Sequence, residues 1–437
     1  MSVRRPARGR HAVVAAVVAV CLHPAVADTA ADIEAVRARL MRPHADAAAG
    51  TVDREGLDGR VLCGYQGWFT VPGDGADLGW RHWRIRDASA PDGSRVAVDL
   101  LPDVSELGPD ERFPLGLSAD GRPVEIFSSH VRATVHRHFR WMKDHGIDGV
   151  FVQRFAEGLR DPRVLAHHTT VLGHCRDAAV EHGRVYAVMY DLTGMPAGGA
   201  AGVIDDWRNL RRRMRIGDDP AALLLAGRPL VAVWGVGFAD GRAYGLAECR
   251  DLVATLAAEG SAVLVGVPTG WRTGDRDAVA DPLLHEIVSA CAAVCPWTVG
   301  RYATPDDVVR HADRDWAADL AWCRDRGVTY VPVIFPGFSW HNLKGGPLGE
   351  IPRRRGEFFS RQADEAARVG ARSLFVAMFD EVDEGTAIFK CAEPPPGLEN
   401  RFLSLEGLPG DHYLRLAGAA GRRLRGSDSG DRARTGR

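Results

Sequence analysis

Several things are scarce in this chain, and each scarcity removes a class of protein. Cysteine is sparse: eight in 437 residues. Beyond residue 27 an odd, scattered set remains, Cys63, Cys175, Cys249, Cys291, Cys295, Cys323 and Cys391, which is no disulfide framework. Cys63, Cys291 and Cys295 lie in apolar strand-like runs and read as small core residues; which pair, if any, forms a bridge is not fixed by the sequence. No run beyond residue 27 approaches the roughly 20 apolar residues a bilayer core demands, so no membrane span is expected. Positive charge is not in excess, with 55 Lys and Arg against 57 Asp and Glu, which leaves no basic face and makes nucleic acid a poor partner.

Signatures are missing too. No GxGxxG turn follows the first strand-like run, and zinc, Walker and flavin patterns are absent, so neither a metal nor a cofactor is expected. Gly337-Phe338-Ser339-Trp340-His341 is not a nucleophile elbow, because His341 stands where the last glycine belongs, and an esterase is therefore the weakest hydrolase reading. His136 with His138, and His167 with His168, lack metal-ligand spacing on one helix face and read as surface groups. No short internal repeat points to a solenoid.

What is present is ordinary for a soluble enzyme: 46% hydrophobic and 26% charged residues, enough for a large core. Arg4, Arg5, Arg8 and Arg10 precede an apolar stretch from Ala12 to Leu22 that ends at Ala25-Val26-Ala27. That order of charge, apolar run and small residues is a secretory signal peptide over residues 1–27, so an exported protein is expected. Its removal takes away four arginines and no acids, moving the formal charge from −2 to −6. Residues 28–56 read as a lead-in helix, 57–420 as one domain, and 421–437, almost devoid of apolar residues, as a disordered tail.

Within that domain, apolar runs alternate with helical patterns. The strand candidates are residues 61–66, 149–154, 185–191, 230–235, 263–267, 292–298, 330–335 and 373–379, each apolar on both faces as buried parallel strands are. Val131, Val135, Phe139 and Met142 recur at helical spacing, as do Phe359, Ala363, Ala366 and Val369 before Gly370. Thr304-Pro305-Asp306-Asp307 is a helix start, with a capping hydroxyl, proline at the first position and acids in the first turn; Val309, Ala312, Trp316, Leu320 and Cys323 continue its stripe to Gly327. Eight β/α units in series predict an α/β fold, the (β/α)8 TIM barrel. A segment rich in Gly, Pro and Asp, residues 69–129, interrupts the first unit, with a short strand expected at 97–101. Its length predicts a long insertion that loops over the barrel mouth.

Catalytic residues of such barrels lie at the carboxyl ends of the strands. The candidates there are Gln66, Trp68, Gln153, Arg154, Asp191, Trp234, Trp271, Trp297, Trp340 and His341, then the run Asp380-Glu381-Val382-Asp383-Glu384-Gly385-Thr386. Indoles suit the apolar C–H faces of sugar rings, and Asp, Gln, Arg and His suit their hydroxyls. Crowded carboxylates raise one another's pKa, which keeps one acid protonated beside one ionised, the need of glycosidic bond cleavage. The expected partner is thus a polysaccharide or oligosaccharide.

The segment from Phe379 to Thr386, FDEVDEGT, resembles the catalytic stretch of glycoside hydrolase family 99, endo-α-mannosidases and endo-α-mannanases, where it reads approximately glutamate, Trp, His, glutamate, Gly, Thr. Cys63-Gly64-Tyr65-Gln66-Gly67-Trp68-Phe69 and Gly407-Leu408-Pro409-Gly410-Asp411-His412-Tyr413 extend a looser likeness, shared with family 71, the α-1,3-glucanases. The resemblance implies that Glu381 deprotonates a sugar 2-hydroxyl that attacks its own anomeric carbon, and that Glu384 serves as general acid and then base, with retention of configuration. It implies an α-mannoside first, with an α-glucanase-like activity as an alternative; a non-catalytic carbohydrate-binding barrel is the other reading, and Asp380 and Asp383 are expected to contact substrate and to raise the pKa of Glu384 by repulsion. Val382 and Asp383 stand where the family pattern has Trp and His.

Overall fold

The computed structural model describes residues 29–44, 52–90 and 93–426; the expected signal peptide lies outside them. Eight parallel strands form the barrel: β1 Val61–Tyr65, β2 Gly149–Phe155, β3 Val185–Asp191, β4 Arg228–Trp234, β5 Ala262–Pro268, β6 Ala293–Trp297, β7 in two pieces, Thr329–Tyr330 and Val333–Ile334, and β8 Leu374–Val376. Each strand pairs in parallel with its neighbours in chain order, and β1 pairs with both β2 and β8. The strands carry Val, Leu, Ile and aromatic residues on both faces because one face meets the barrel interior and the other the helices.

Closure happens at the split strand. The first piece of β7 pairs with β6 and the second with β8. Pro332 sits between them and has no N–H to donate; Val331 N–H donates to Val294 O at 2.9 Å, while Pro332 O accepts from Phe375 N–H at 3.0 Å. Close approach also shapes the interior: a Cβ on Gly64 would lie 2.1 Å from Met378 Cε and 2.9 Å from Phe375 Cζ. Any larger residue there would require Met378 and Phe375 to move.

The expected helices form. Thr304 and Asp307 make a reciprocal capping box on the helix Pro305–His311, and left-handed Gly370 caps Glu357–Val369. One stripe is shifted: a wide π turn over Ala312–Trp316 rotates the register, so Val308 and His311 are buried while Val309 is only half-buried. The leading helix Thr29–Leu40 lies in the expected lead-in segment, and the last helix, His412–Leu424, runs on past the expected start of the tail, with Gly421 buried. No helix among the described residues is long and apolar enough to cross a membrane. All seven described cysteines are buried and free.

Helices also explain the histidines. His136, His138, His167 and His168 are buried rather than at the surface: His136 packs between the helices Arg132–His145 and Pro162–His182, with Nδ1 2.7 Å from Glu181 Oε2, His138 Nδ1 meets Tyr65 Oη at 2.9 Å, His167 Nε2 donates to Gly67 O at 2.9 Å, and His168 packs against Phe155.

Alternation along β2 sends Gln153 inward and Arg154 outward. Arg154, expected at the mouth, is thus buried between sheet and helices, where Nε and Nη2 grip Asp206 of the helix Ala200–Asn209 at 2.6 and 2.7 Å. Tyr190 Oη donates to the same carboxylate at 2.6 Å. Breaking a buried pair strands a charge, so Asp206→Ala should lose about 3–5 kcal/mol in urea unfolding. Because the pair lies behind the wall, ligand affinity at the mouth should stay unchanged in the surviving folded fraction; a loss of affinity larger than the loss of folded protein would put Arg154 back in the site.

Candidate active site

Regular pairing of β8 ends at Val376, but Phe379 N–H still donates to Gly64 O at 2.8 Å, so the acidic turn emerges directly beside the end of β1. Asp380, expected to contact substrate, is spent on the backbone instead: it is fully buried and accepts the N–H of Gln66 and of Gly67 at 2.8 and 2.9 Å. Those two bonds clamp the acidic turn to β1. Burial still pushes its carboxyl up to about 7.

The other three acids face the interior of the mouth. Glu381 accepts from Gln66 Nε2 and, at 2.5 Å, from Thr386 Oγ1; burial first, then Glu384 and Asp383, hold its pKa well above the usual carboxylate range. Glu384 is half-buried and is pushed up to about 8 by burial and by Asp383, with Asp191 adding repulsion and Lys344 and the Trp340 indole opposing it. Trp340 Nε1 nevertheless falls short of hydrogen-bond geometry. Asp383 is 1% exposed and is pushed up to about 8, mainly by burial; its Oδ2 lies 2.8 Å from His82 Nδ1.

The insertion supplies two residues that the sequence reading passed over. Asp99, fully buried, accepts from the backbone N–H groups of His341 and Asn342, each at 2.8 Å, and from Asn342 Nδ2, while its own N–H donates to Val382 O at 2.9 Å. The expected strand at 97–101 forms only at its last residue: strands run over Ser94–Val96 and Leu101–Pro102, and between them Asp99 reaches the acidic turn. A lone acid inside the apolar run Ala97-Val98-Asp99-Leu100-Leu101 was the available signal. His82 is the second; its signal is the aromatic-rich Trp80-Arg81-His82-Trp83 within a loop.

Tryptophans divide into three kinds. Trp68 is sandwiched, with His82 stacked at 3.6 Å and 4° and Phe155 at 5.2 Å and 23°; His82 and Phe155 cover opposite faces, so Trp68 presents an edge to the mouth rather than a stacking face. Trp234 and Trp297 meet edge to face at 5.3 Å, with the Arg242 guanidinium 5.1 Å from the Trp234 ring. Trp271 is not at the mouth: the chain turns outward after Gly270, and Trp271 is fully buried in the helix layer, where Nε1 donates to Asp319 at 3.1 Å against Trp322. Gln153 points inward to Met189 Sδ at 3.1 Å, Asp191 accepts from Thr193 N–H at 2.7 Å, and His341 is held by Gly346 O at 2.9 Å.

Buried side-chain polar atoms without a hydrogen-bond partner occur elsewhere among the described residues too, Trp83 Nε1 and Trp316 Nε1 for example, and Gln66 Oε1, Trp68 Nε1, Trp234 Nε1, Trp340 Nε1 and Asp383 Oδ1 are those at the strand ends. Unmet buried polar groups are costly, and five of them collect at the strand ends. A ligand rich in hydroxyls, able to donate and accept, is the chemistry that satisfies this set. A separate groove of about 260 Å³ beside the leading helix, lined by Ile33, Arg37, Leu159 and Met195, includes none of the acids.

No family model matches the chain, and no curated protein matches it in sequence. Solved structures do match its fold. A GH99 endo-α-mannosidase from Bacteroides thetaiotaomicron superposes with a TM-score of 0.62 at 16% identity, over 86% of this chain and 100% of that one. The same enzyme in complex with bis-tris propane gives 0.61 at 15% identity, with the same coverage. A glycoside hydrolase-like protein gives 0.53 at 13%, over 86% and 96%. The chain therefore has the (β/α)8 barrel fold of those proteins.

The acids make stability pH-dependent. Each keeps its proton in the folded chain after the unfolded chain has released it at about pH 4, so stability falls as pH rises toward the raised values. His82, His138 and His167, pushed down to about 3 by burial, act in the opposite sense, but only below about pH 6.5, the unfolded imidazole value. Above that only the carboxyls act, so Tm should fall between pH 6.5 and 8, by the equivalent of about 1.4 kcal/mol per pH unit for each carboxyl still protonated. Glu384→Gln should fall less steeply in the same thermal scans; equal slopes would contradict the assignment.

Proposed function

We propose that the protein is a glycoside hydrolase that cleaves α-linked glycans, α-mannosides first, with retention of configuration. The observation that carries this reading is the pair Glu381 and Glu384, both pushed upward in pKa, at the end of β8 in a barrel with the fold of an endo-α-mannosidase. Glu384, half-buried and protonated at neutral pH, suits a general acid. The three raised acids titrate as a set, and the set's first negative charge is best placed on Glu381, where Gln66 and Thr386 both donate.

The steps then balance. Glu381 takes the proton of the sugar 2-hydroxyl, whose oxygen attacks the anomeric carbon. The bond to the leaving oxygen breaks, and that oxygen takes the proton of Glu384. Water then gives its proton to Glu384 and attacks the same carbon, the 1,2-anhydro ring opens, and Glu381 returns the proton to the 2-oxygen. Two inversions leave the configuration retained. The positively charged, apolar start of the chain fits an exported enzyme meeting such glycans outside the cytoplasm.

A carbohydrate-binding barrel without turnover is the second reading, favoured by the raised pKa of every acid in the acidic turn. Anomeric-proton NMR time courses on α-mannans, α-glucans and synthetic α-glycosides separate the two. Retained α-product is expected from the wild type, with rates about 10²–10⁴-fold lower in Glu381→Gln and Glu384→Gln. Inverted product, or full activity in either variant, contradicts the mechanism; sugar binding with no cleavage from pH 4 to 9 establishes the second reading.

A further inference from the structure

We infer that His82 is a positioning residue of this site: it shares one proton with Asp383 Oδ2 in a net-neutral pair and so presents the other oxygen, Oδ1, as the acceptor for a ligand hydroxyl. The hydroxyl half of this inference rests on the carbohydrate reading; the shared proton does not.

The geometry is specific. His82 Nδ1 lies 2.8 Å from Asp383 Oδ2, and the imidazole is clamped on Trp68 at 3.6 Å. The backbone holds it there: Thr70 and Arg81 exchange both N–H···O bonds, and His82 itself takes a left-handed φ of 63°, a conformation rare outside glycine that is maintained by its surroundings. Asp383 Oδ1 is buried with no partner among the described residues, on a side chain that is 1% exposed. With Oδ2 committed to His82, rotation cannot rescue Oδ1, and only a bound molecule can.

The charge count explains why one proton suits the pair. Nδ1 accepting from a carboxylic acid, or an imidazolium donating to a carboxylate, carry the same proton and no net charge. Around the pair stand Arg81 beside His82 in the chain, His168 from the helix Pro162–His182, Asp99 from the insertion, and Asp380, Glu381 and Glu384 from the acidic turn. A bare Asp383 carboxylate would repel the ionisation of Glu381; a neutral pair does not. Burial pushes His82 down to about 3 and Asp383 up to about 8, so the pair stays neutral between those limits.

The corner also contains Gln66 Oε1 and Trp68 Nε1, both unpartnered, from the end of β1, the strand beside β8. Two acceptors and one donor there match adjacent hydroxyls of one sugar ring.

Two measurements test this. In ¹⁵N-imidazole NMR, with His82 assigned by comparison with His82→Gln, no titration midpoint near 6.5 is expected between pH 4.5 and 7.5; a free-imidazole midpoint there overturns the shared proton. Binding of methyl α-D-mannopyranoside and its 2-, 3-, 4- and 6-deoxy analogues tests the hydroxyl. Wild type should bind one analogue about 10–100-fold more weakly than the parent. Asp383→Ala should bind that analogue and the parent alike, His82→Phe, which keeps the stack on Trp68, should lose most of the discrimination, and His82→Gln should recover part of it. Discrimination unchanged in His82→Phe overturns the positioning role. If wild type binds none of these sugars, the α-mannoside reading and the hydroxyl half fail together, while the NMR result stands by itself.

Discussion

Two backbone N–H groups at the end of β1 hold the whole mouth together. Asp380 accepts from Gln66 and Gly67, and that clamp fixes where the acidic turn leaves β8. Everything chemical follows from its position: Gln66 is brought onto Glu381, Gly67 O is left for His167, and Trp68 is aimed so that His82 and Phe155 can close on its two faces. A buried carboxyl satisfied by backbone donors is a rigid joint, because its partners cannot choose another rotamer.

Around that joint the protein accumulates unfavourable charge. Four carboxyls share a space that water hardly enters, and burial raises the pKa of each, so that the turn ionises stepwise and at higher pH than free carboxyls do. The insertion is the counterweight. Asp99 caps the start of the short helix His341–Lys344 and ties it to Val382, while His82 takes up one oxygen of Asp383. The segment over the mouth is therefore part of the site's electrostatics, as well as its cover.

The barrel was readable because its signal is periodic and repeated. Eight runs apolar on both faces, separated by helical stripes, leave few topologies, and all eight fall at the expected places along the chain. The split in β7 was visible only as Pro332 within an apolar run, and the π turn at Ala312–Trp316 left no compositional trace. Side-chain direction was less legible. Arg154 and Gln153 are adjacent in β2, and one residue of register decides which faces the mouth; Asp206, fifty-two residues later, claims Arg154. Trp271 looked like its fellow tryptophans, but Asp319 on a distant helix draws its N–H into the helix layer. The histidines read as surface groups are buried by tertiary packing, His138 and His167 with partners on or beside β1, His136 with Glu181 of the neighbouring helix and His168 against Phe155, none of which helical spacing by itself reveals.

By itself the sequence determined the element types, the barrel order and the crowding of acids after β8, since these depend on local periodicity and on charges adjacent in the chain. Only the tertiary structure decided that Asp380 is bonded to the β1 backbone while Glu381, Asp383 and Glu384 face the mouth, that both faces of Trp68 are covered, and that His82 and Asp99 pack against the acidic turn. Those outcomes depend on contacts between residues hundreds of positions apart, made when β8 closes against β1, and on desolvation, which no single residue carries in its own identity.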